Sequence, residues 1–208
     1  SLLFIENRKL LDPEQPLANP AVDWPRFVMA AISQVGKLLD MQDQSAGGST
    51  LATQLEKYRH SPDGLTSSAT EKLRQMFSAS VRAYQSGPQT LAARENIVRD
   101  YLNSVPLSAA PGHGEVHGLA DGLRIWFGAD FARVNLLLDP TRSPDASLAE
   151  RGLALRQVLA LMIAQRRPSY YLAQGRNDLA SLTDSHIRLL AGGGLIDTAL
   201  RDAALQQT

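Results

Sequence analysis

The chain has 208 residues, no cysteine, and 21 basic against 21 acidic side chains, so its formal net charge is zero. This balance excludes a general nucleic-acid binder, which needs a basic excess, and the lack of cysteine excludes disulfides, thiolate metal sites and a cysteine nucleophile. Hydrophobic residues make up 44%, enough for a core of ordinary density, and no apolar run approaches the roughly 20 residues that span a bilayer.

Helical periodicity dominates the first half of the chain. Apolar spacing predicts one helix after Pro25 and a second after the break at Gly47-Gly48. A capping box at residues 68–71 predicts a third helix, and a fourth is predicted to run from Leu91 until Pro106 stops it. The third helix is predicted to bury one apolar face, formed by Ala69, Leu73, Met76, Phe77, Ser80, Val81 and Tyr84.

The second half is also predicted to be helical, after a loop at residues 106–118. A short helix carries Trp126 and Phe127, and a capping box at residues 147–150 begins a helix that we expect Pro168 to close. Two final helices are separated by the glycines at 192–194, and Asp197 caps the second. No alternating strand of convincing length is found, so the predicted class is mainly α.

His113 and His117 lie in the predicted loop at residues 106–118. Pro111 and the neighbouring glycines disfavour a helix there, so the two imidazoles are not expected to share a helix face. The sequence has no HExxH pattern and offers no obvious third ligand. We interpret both histidines as surface residues, and no metal site is predicted from them.

The most informative segment is GGSTLATQLEK, residues 47–57. Its two glycines allow a sharp turn, and Ser49 and Thr50 offer hydroxyls and amides at a helix N-terminus, where anions are favoured. Gln54 and Lys57 are three residues apart and share a helix face. Two interpretations remain open at this point, a phosphate or other anion site and a plain helix cap.

This segment resembles the GxSTxTQQxxK motif of the peptidoglycan glycosyltransferases, the transglycosylase domains of class A penicillin-binding proteins and their monofunctional relatives. Further landmarks follow in the family's order. EKLRQ (71–75) resembles RKxxE, IVRDYLN (97–103) resembles ILExYLN, WFG (126–128) resembles YFG, and RPSY (167–170) resembles APSxY. Upstream, ENRKL (6–10) resembles EDxxF, and NPAVD (19–23) falls where HxGxD is expected. The resemblance covers essentially the whole chain.

The resemblance implies a mainly α, lysozyme-like fold of two lobes, with residues 1–208 as one divergent domain and residues 24–45 in a membrane-facing small lobe. Family members polymerise lipid II at the outer, periplasmic face of the bacterial inner membrane. The acceptor's sugar hydroxyl attacks the donor's anomeric carbon with inversion, and undecaprenyl pyrophosphate leaves. The implied partners are lipid II or glycan strands, the membrane surface and other envelope proteins, with no nucleic acid.

The chain begins at Ser1 without a signal peptide. We therefore expect a soluble fragment that lacks the anchor of a longer protein. The helix after Pro25 has Trp24, Phe27, Val28 and Met29 near its start, residue types that suit a bilayer interface. Ordinary core packing is the alternative for these side chains.

The family's functional residues carry over unevenly. Glu6 keeps the general-base position, although a gapless alignment back from Asn19 would place Asp12 there. The motif that meets the pyrophosphate is kept by Ser49, Thr50, Gln54 and Lys57. Two further matches are Lys72 and Asn103.

Gln75 stands where the second catalytic glutamate belongs. Its amide cannot ionise or transfer a proton, and it binds a divalent cation less strongly than a carboxylate does. The resemblance implies a divalent cation, but Gln75 weakens that expectation, so no cofactor is firmly predicted. Glu71, one turn earlier, is either a relocated carboxylate or the end of the capping box. Other departures are Ser67 and Arg99, which replace a basic and an acidic residue.

Three functions remain open from the sequence. The first is an active but divergent glycosyltransferase, which explains Glu6, Gln54 and Lys57. The second is a non-catalytic descendant that binds lipid-linked precursor or glycan, or scaffolds envelope assembly, and it explains Gln75. The third is a lysozyme-like enzyme that cleaves glycan, for which the anion motif would have no purpose.

Overall fold

The structure, a computed structural model, describes residues 2–3, 8–22, 50–60, 69–139, 141–142 and 145–207. Within these ranges the chain is mainly helical, with a single two-stranded hairpin, which confirms the predicted class. The predicted helix after Pro25, with Trp24 to Met29, lies outside the described residues, as do Glu6, Ser49, Ser67 and the first residue of the box at 68–71.

The described residues form helices at both ends of the chain order, with two consecutive strands between α3 and α4. The helices are α1 (Leu51–His60), α2 (Ala69–Tyr84), α3 (Leu91–Ser104), α4 (Gly118–Phe127), α5 (Phe131–Leu138), α6 (Leu148–Ala164), α7 (Pro168–Tyr171), α8 (Arg176–Gly192) and α9 (Thr198–Leu205). The strands are β1 (Pro106–Ala110) and β2 (Gly114–His117).

The chain divides into two compact units. Ile5–Tyr101 forms one, called here the N-terminal unit, and Leu102–Thr208 with Ser1–Phe4 forms the other, the C-terminal unit.

In the N-terminal unit, α1 packs on α2 through small side chains. Ala21, Ala52 and Ala79 form a buried cluster, with Val22 and Ile97 packed against it. Because alanine has only a methyl group, the backbones approach closely at this point. The cluster joins the segment after residue 18 to α1, α2 and α3.

Arg94 anchors an irregular segment to α3 in this unit. Its side chain is 1% exposed. One terminal nitrogen donates to the carbonyl of Leu10 at 2.8 Å, and the other donates to the carbonyl of Gln15 at 2.7 Å. These bonds satisfy backbone carbonyls that no regular secondary structure pairs, so Arg94 substitutes for a hydrogen-bonding strand or helix.

The predicted buried face of α2 is wrong. The structure exposes four of the side chains assigned to it, which we call the apolar stripe: Leu73, Phe77, Val81 and Tyr84. Phe77 is 73% exposed, whereas Gln75, Ala79 and Ala83 on the opposite face are buried. Both faces repeat with the helical period, so periodicity alone did not distinguish them. The alanine face is the buried one because α1 packs closely against it.

The predicted loop at residues 106–118 is also wrong, because it forms a β-hairpin. β1 and β2 pair antiparallel, with Pro106 opposite His117 and Ala110 opposite Gly114. Gly112 and Gly114 have φ of +76° and +71°, which the tight turn requires and glycine adopts without strain. The strands are too short and too rich in turn residues to show an alternating pattern. His113 in the turn and His117 at the strand end are both exposed, as expected.

The C-terminal unit is organised around α6. Helices α4, α5, α8 and α9 all pack against it, and its buried side chains include Leu155, Leu159 and Met162. A Cβ added at Gly152 would lie 2.7 Å from the backbone of Ala203, so the glycine permits the close approach of α9.

Several local predictions for this unit are confirmed. Ser147 and Glu150 form the capping box of α6, and Asp197 caps α9 by accepting from the amide of Leu200 at 2.7 Å. Two details differ from the prediction. α6 already ends at Ala164, and Pro168 begins α7, where its missing N–H costs nothing.

Helix α5 had no counterpart in the sequence prediction. Asp130 caps it by accepting from the amide of Arg133. With only eight residues, α5 is too short for a clear apolar repeat.

Candidate functional site

The first turn of α1 is closed by two threonines. The amide of Thr50 donates to Oγ1 of Thr53 at 2.9 Å, and that hydroxyl donates to the carbonyl of Thr50 at 2.9 Å. The amide of Thr53 donates to Oγ1 of Thr50 at 3.3 Å. Thr50 is buried, and its amide is already bonded. Thr50 therefore fits the interpretation as a helix cap better than the interpretation as an anion site, since an anion that reaches its amide must first displace the hydroxyl of Thr53.

One face of α1 carries Gln54 and Lys57, which are three residues apart, neighbours on the helix surface and both half-buried. The hydroxyl of the fully buried Tyr101 donates to Oε1 of Gln54 at 3.1 Å. The ring of Tyr101 also lies 6.4 Å from that of Tyr58. The segments at residues 50–57 and 97–103, recognised separately in the sequence, thus meet at this hydrogen bond. Because Tyr101 occupies Oε1, the Gln54 amide is oriented with its NH₂ group available to donate.

The opposite face of α1 carries Glu56, which is 2% exposed and which the sequence analysis missed. Its carboxylate accepts from Oγ of Ser78 at 2.8 Å, lies 2.9 Å from Nε of Arg82 and accepts from Arg59 at 3.1 Å. Arg59 in turn pairs with Asp100 at 3.2 Å. The network joins α1, α2 and α3. The only signal in the sequence was the i, i+3 spacing of Glu56 and Arg59, which is common on exposed helix faces.

Lys72 and Gln75 lie three residues apart on α2. Lys72 is half-buried, and Gln75 is 9% exposed. Glu71 and Gln75 each have at least one interaction partner. A neutral amide avoids the desolvation penalty that a carboxylate meets at such a buried position. The burial of Gln75 therefore gives a physical reason for a neutral side chain at this position. For Glu71, both interpretations remain open, a relocated carboxylate and the end of a capping box.

Asp12, the alternative to Glu6 as the general base, is engaged in a turn. Its Oδ1 accepts from the amide of Glu14 at 3.0 Å, and its Oδ2 accepts from the side chain of Gln15 at 3.1 Å. Both carboxylate oxygens thus stabilise the segment that Arg94 holds. This geometry gives Asp12 a structural role.

Asn19, in the segment at residues 19–23, bonds to α2, the helix that also carries the segment at residues 71–75. Its amide donates to Oγ of Ser80 at 2.9 Å, and its Oδ1 accepts from the amide of Ala21 at 2.9 Å. Ala21, Ala52 and Ile97, from the segments at residues 19–23, 47–57 and 97–103, also meet at the buried alanine cluster. Three of the landmark segments therefore contact one another within the N-terminal unit.

The remaining landmarks lie in the C-terminal unit. Asn103 is exposed near the end of α3. Trp126 donates its indole N–H to the carbonyl of Leu107 at 3.0 Å, and Gly128 ends α4 in the left-handed conformation with φ of +65°. The guanidinium of Arg167 lies 4.7 Å from the ring centroid of Tyr170. Trp126 and Gly128 thus serve the local architecture of this unit.

The described residues do not fit a divalent cation. Among them, no three His, Cys, Asp or Glu side chains lie close enough to hold a metal ion, and Gln75 supplies a neutral oxygen where the resemblance implies a carboxylate.

The fold and the meeting of these landmark segments define a helical domain of the transglycosylase type. A family model described as transglycosylase matches residues 1–189, so the chain belongs to this family. The resemblance found in the sequence is confirmed, and the helical architecture agrees with the family's lysozyme-like fold. A search of curated proteins finds no match to the chain.

Family membership associates the chain with glycosyl transfer in peptidoglycan synthesis and with the cell envelope. In the described part of the chain, no helix combines the length and the apolar character needed to cross a membrane.

Proposed function

We propose that residues 1–208 form one divergent peptidoglycan glycosyltransferase-like domain that acts on lipid II. The observation that carries this proposal is the hydrogen bond between Tyr101 and Gln54, at 3.1 Å. It links two segments that match family motifs, and it orients Gln54 beside Lys57. Family membership over residues 1–189 supports the same conclusion.

The proposed chemistry is inverting glycosyl transfer. Glu6 accepts the proton of the acceptor's sugar hydroxyl while that oxygen attacks the donor's anomeric carbon. The bond from this carbon to the pyrophosphate breaks, and undecaprenyl pyrophosphate leaves as an anion. Lys57 and Lys72 neutralise its charge, and the Gln54 amide donates to its oxygens. The leaving group is already acidic, so it requires less protonation than a sugar alkoxide.

A second candidate function, binding without turnover, is favoured by Gln75. A buried amide at the second catalytic position can hold substrate through hydrogen bonds but cannot transfer a proton. In this case the domain binds lipid-linked precursor or glycan, or scaffolds other envelope proteins.

Binding is tested with fluorescently labelled lipid II in detergent micelles. Lys57→Ala is expected to weaken binding by about 1–3 kcal/mol, because a charge-assisted contact to the pyrophosphate is lost. Arg188→Ala, which removes an exposed cation from α8, is the control and leaves the affinity unchanged. Equal affinity of the Lys57 variant and the unmodified protein contradicts the assigned role.

Turnover is tested by following polymerisation of labelled lipid II on gels. In an active domain, Glu6→Gln lowers the rate by about a hundred- to ten-thousand-fold, and Gln75→Glu raises it. In a binding module, neither variant shows turnover and both bind the precursor. An unchanged, measurable rate in Glu6→Gln overturns the base assignment and makes Glu14, or Asp12 released from its turn, the next candidate for the base.

The proposed location is the outer face of the bacterial inner membrane. The apolar stripe on α2 supports contact with a membrane surface, since large exposed apolar side chains in one row suit a bilayer interface. Phe77→Gln is expected to lower the fraction of protein that sediments with vesicles containing anionic lipid. Phe131→Gln, at an exposed phenylalanine of α5, is the control. Equal sedimentation of both variants contradicts a role for the stripe.

A further inference from the structure

The C-terminal unit contains a pocket of about 290 Å³ that the proposed reaction does not use. It lies among α4, α6, α7 and α8. Its lining combines aromatic, aliphatic and cationic side chains, chiefly Trp126, Phe127, Tyr171, Leu172, Arg156 and Arg176. This volume is near the lower end of the about 300–1,000 Å³ typical of ligand pockets, so it suits one side chain with its attached polar group.

The aromatic wall of the pocket is held in place before any ligand arrives. The indole N–H of Trp126 donates to the carbonyl of Leu107 at 3.0 Å. The ring of Tyr171 packs edge-on against Tyr170, with centroids 5.3 Å apart and planes at 63°. Leu172, which also lines the pocket, is buried. A preformed apolar surface binds a ligand without first losing side-chain entropy.

The two arginines of the pocket differ in their partners. Arg156 is largely buried and paired with Asp184, so its charge is neutralised. Arg176 is exposed, and its Nε lies 3.4 Å from the carbonyl of Leu172. Throughout the described ranges, no carboxylate lies within ion-pair distance of Arg176. Its terminal nitrogens are therefore available to an external anion.

The position of Arg176 strengthens this preference for an anion. It is the first residue of α8, and Gly175 before it provides no side-chain cap. The positive end of the helix dipole lies beside the guanidinium, and the carboxylate of Asp178 in the same turn, which accepts from the hydroxyl of Tyr170, offsets part of it. The guanidinium is therefore the main group at the pocket rim that favours an anion. A guanidinium fork matches the two oxygens of a carboxylate.

We propose that this pocket binds a carboxylate attached to a carbon that also bears an aromatic or branched aliphatic side chain. The carboxylate pairs with Arg176, and the side chain packs against Trp126 and Leu172. A peptide C-terminus and a free N-acyl amino acid share this chemistry. The proposal concerns the C-terminal unit alone and does not depend on the proposed reaction.

The test uses the fluorescence of Trp126. The chain has two tryptophans, so Trp24→Phe leaves Trp126 as the sole reporter. The probes are N-acetylphenylalanine, the peptide Gly-Gly-Gly-Phe, and N-acetylphenylalaninamide, which lacks the carboxylate. We expect saturable fluorescence changes with both acids and binding of the amide that is weaker by about tenfold. Tighter binding of the peptide identifies a peptide terminus as the ligand, and equal binding identifies a small acid.

Two substitutions on α8 provide the matched comparison. Arg176→Gln is expected to weaken binding of both acids by about tenfold, whereas Arg188→Gln, at an exposed position on the same helix outside the pocket, leaves it unchanged. Far-UV circular dichroism checks that both variants fold. The proposal is overturned if neither acid saturates, if the amide binds as well as the acids, or if the two variants bind equally.

Discussion

Replacing Arg94 with methionine is the most direct test of how the N-terminal unit is held together. Methionine preserves the aliphatic stem in the core but removes the guanidinium, which donates to the carbonyls of Leu10 and Gln15 at 2.8 and 2.7 Å. A third contact, to the carbonyl of Asp12 at 3.4 Å, is weaker. The substitution leaves these backbone oxygens without their donor.

The magnitude follows from these contacts. Two hydrogen bonds from a charged donor contribute about 3–6 kcal/mol together, at about 1.5–3 kcal/mol each. Nε of Arg94 is buried without a partner among the described residues. Removing this unpaired donor raises the free energy of unfolding by about 1 kcal/mol, which offsets part of the loss. We therefore expect Arg94→Met to lower the free energy of unfolding by about 2–5 kcal/mol.

Urea denaturation followed by far-UV circular dichroism measures this change. Arg99→Met, at an exposed position on the same helix, is the control and is expected to stay within about 0.5 kcal/mol of the unmodified protein. Amide hydrogen exchange should show faster exchange at residues 10–18 in the Arg94 variant alone. If Arg94→Met costs less than about 1 kcal/mol, the carbonyl anchors are not what stabilises this segment.

Three further predictions concern the C-terminal unit. In urea titrations, Gly118→Ala should destabilise the protein far more than Gly112→Ala. Both glycines have positive φ, but a Cβ at Gly118 would lie 2.4 Å from a backbone oxygen, whereas a Cβ at Gly112 would point into open space. Equal losses of stability would refute this steric argument. Asp197→Ala should cost about 1 kcal/mol through loss of the α9 cap, and an unchanged unfolding midpoint would contradict this. The hydrogen bond from Arg133 is the main cause that holds the pKa of Glu150 below its ordinary value. The stabilisation that this hydrogen bond provides is therefore present above the unfolded pKa of about 4.3, and it is lost as the pH falls through the lower folded pKa. The difference in unfolding free energy between the unmodified protein and Glu150→Gln should therefore shrink on acidification. A difference that stays constant with pH would contradict the assignment.

Signals that act within a few residues were read correctly from the sequence. The capping box at Ser147, the cap at Asp197 and the end of α8 near the triple glycine all depend on bonds between residues close in the chain. Each family motif is likewise a pattern of a few neighbouring residues, and the order of the motifs along the chain was enough to indicate the transglycosylase family.

Tertiary contacts decided which parts of these elements became functional or structural. The orientation of the Gln54 amide depends on Tyr101, which is 47 residues away in the chain. Glu56 is buried where Ser78 and Arg82 on α2 approach it. No local pattern distinguishes a glutamate that will be enclosed from one that stays in water.

The apolar stripe of α2 shows the same limit most clearly. Composition and periodicity determined a helix with two competing faces, and they favoured burial of the larger side chains, Phe77 among them. The structure instead buries Ala79 and Ala83, because α1 packs close to small residues while the large ones remain exposed. The helix itself was specified by the chain, since backbone hydrogen bonds within it are local. Its buried face was decided only by the partner that packs against it, because burial is a property of two surfaces and not of one.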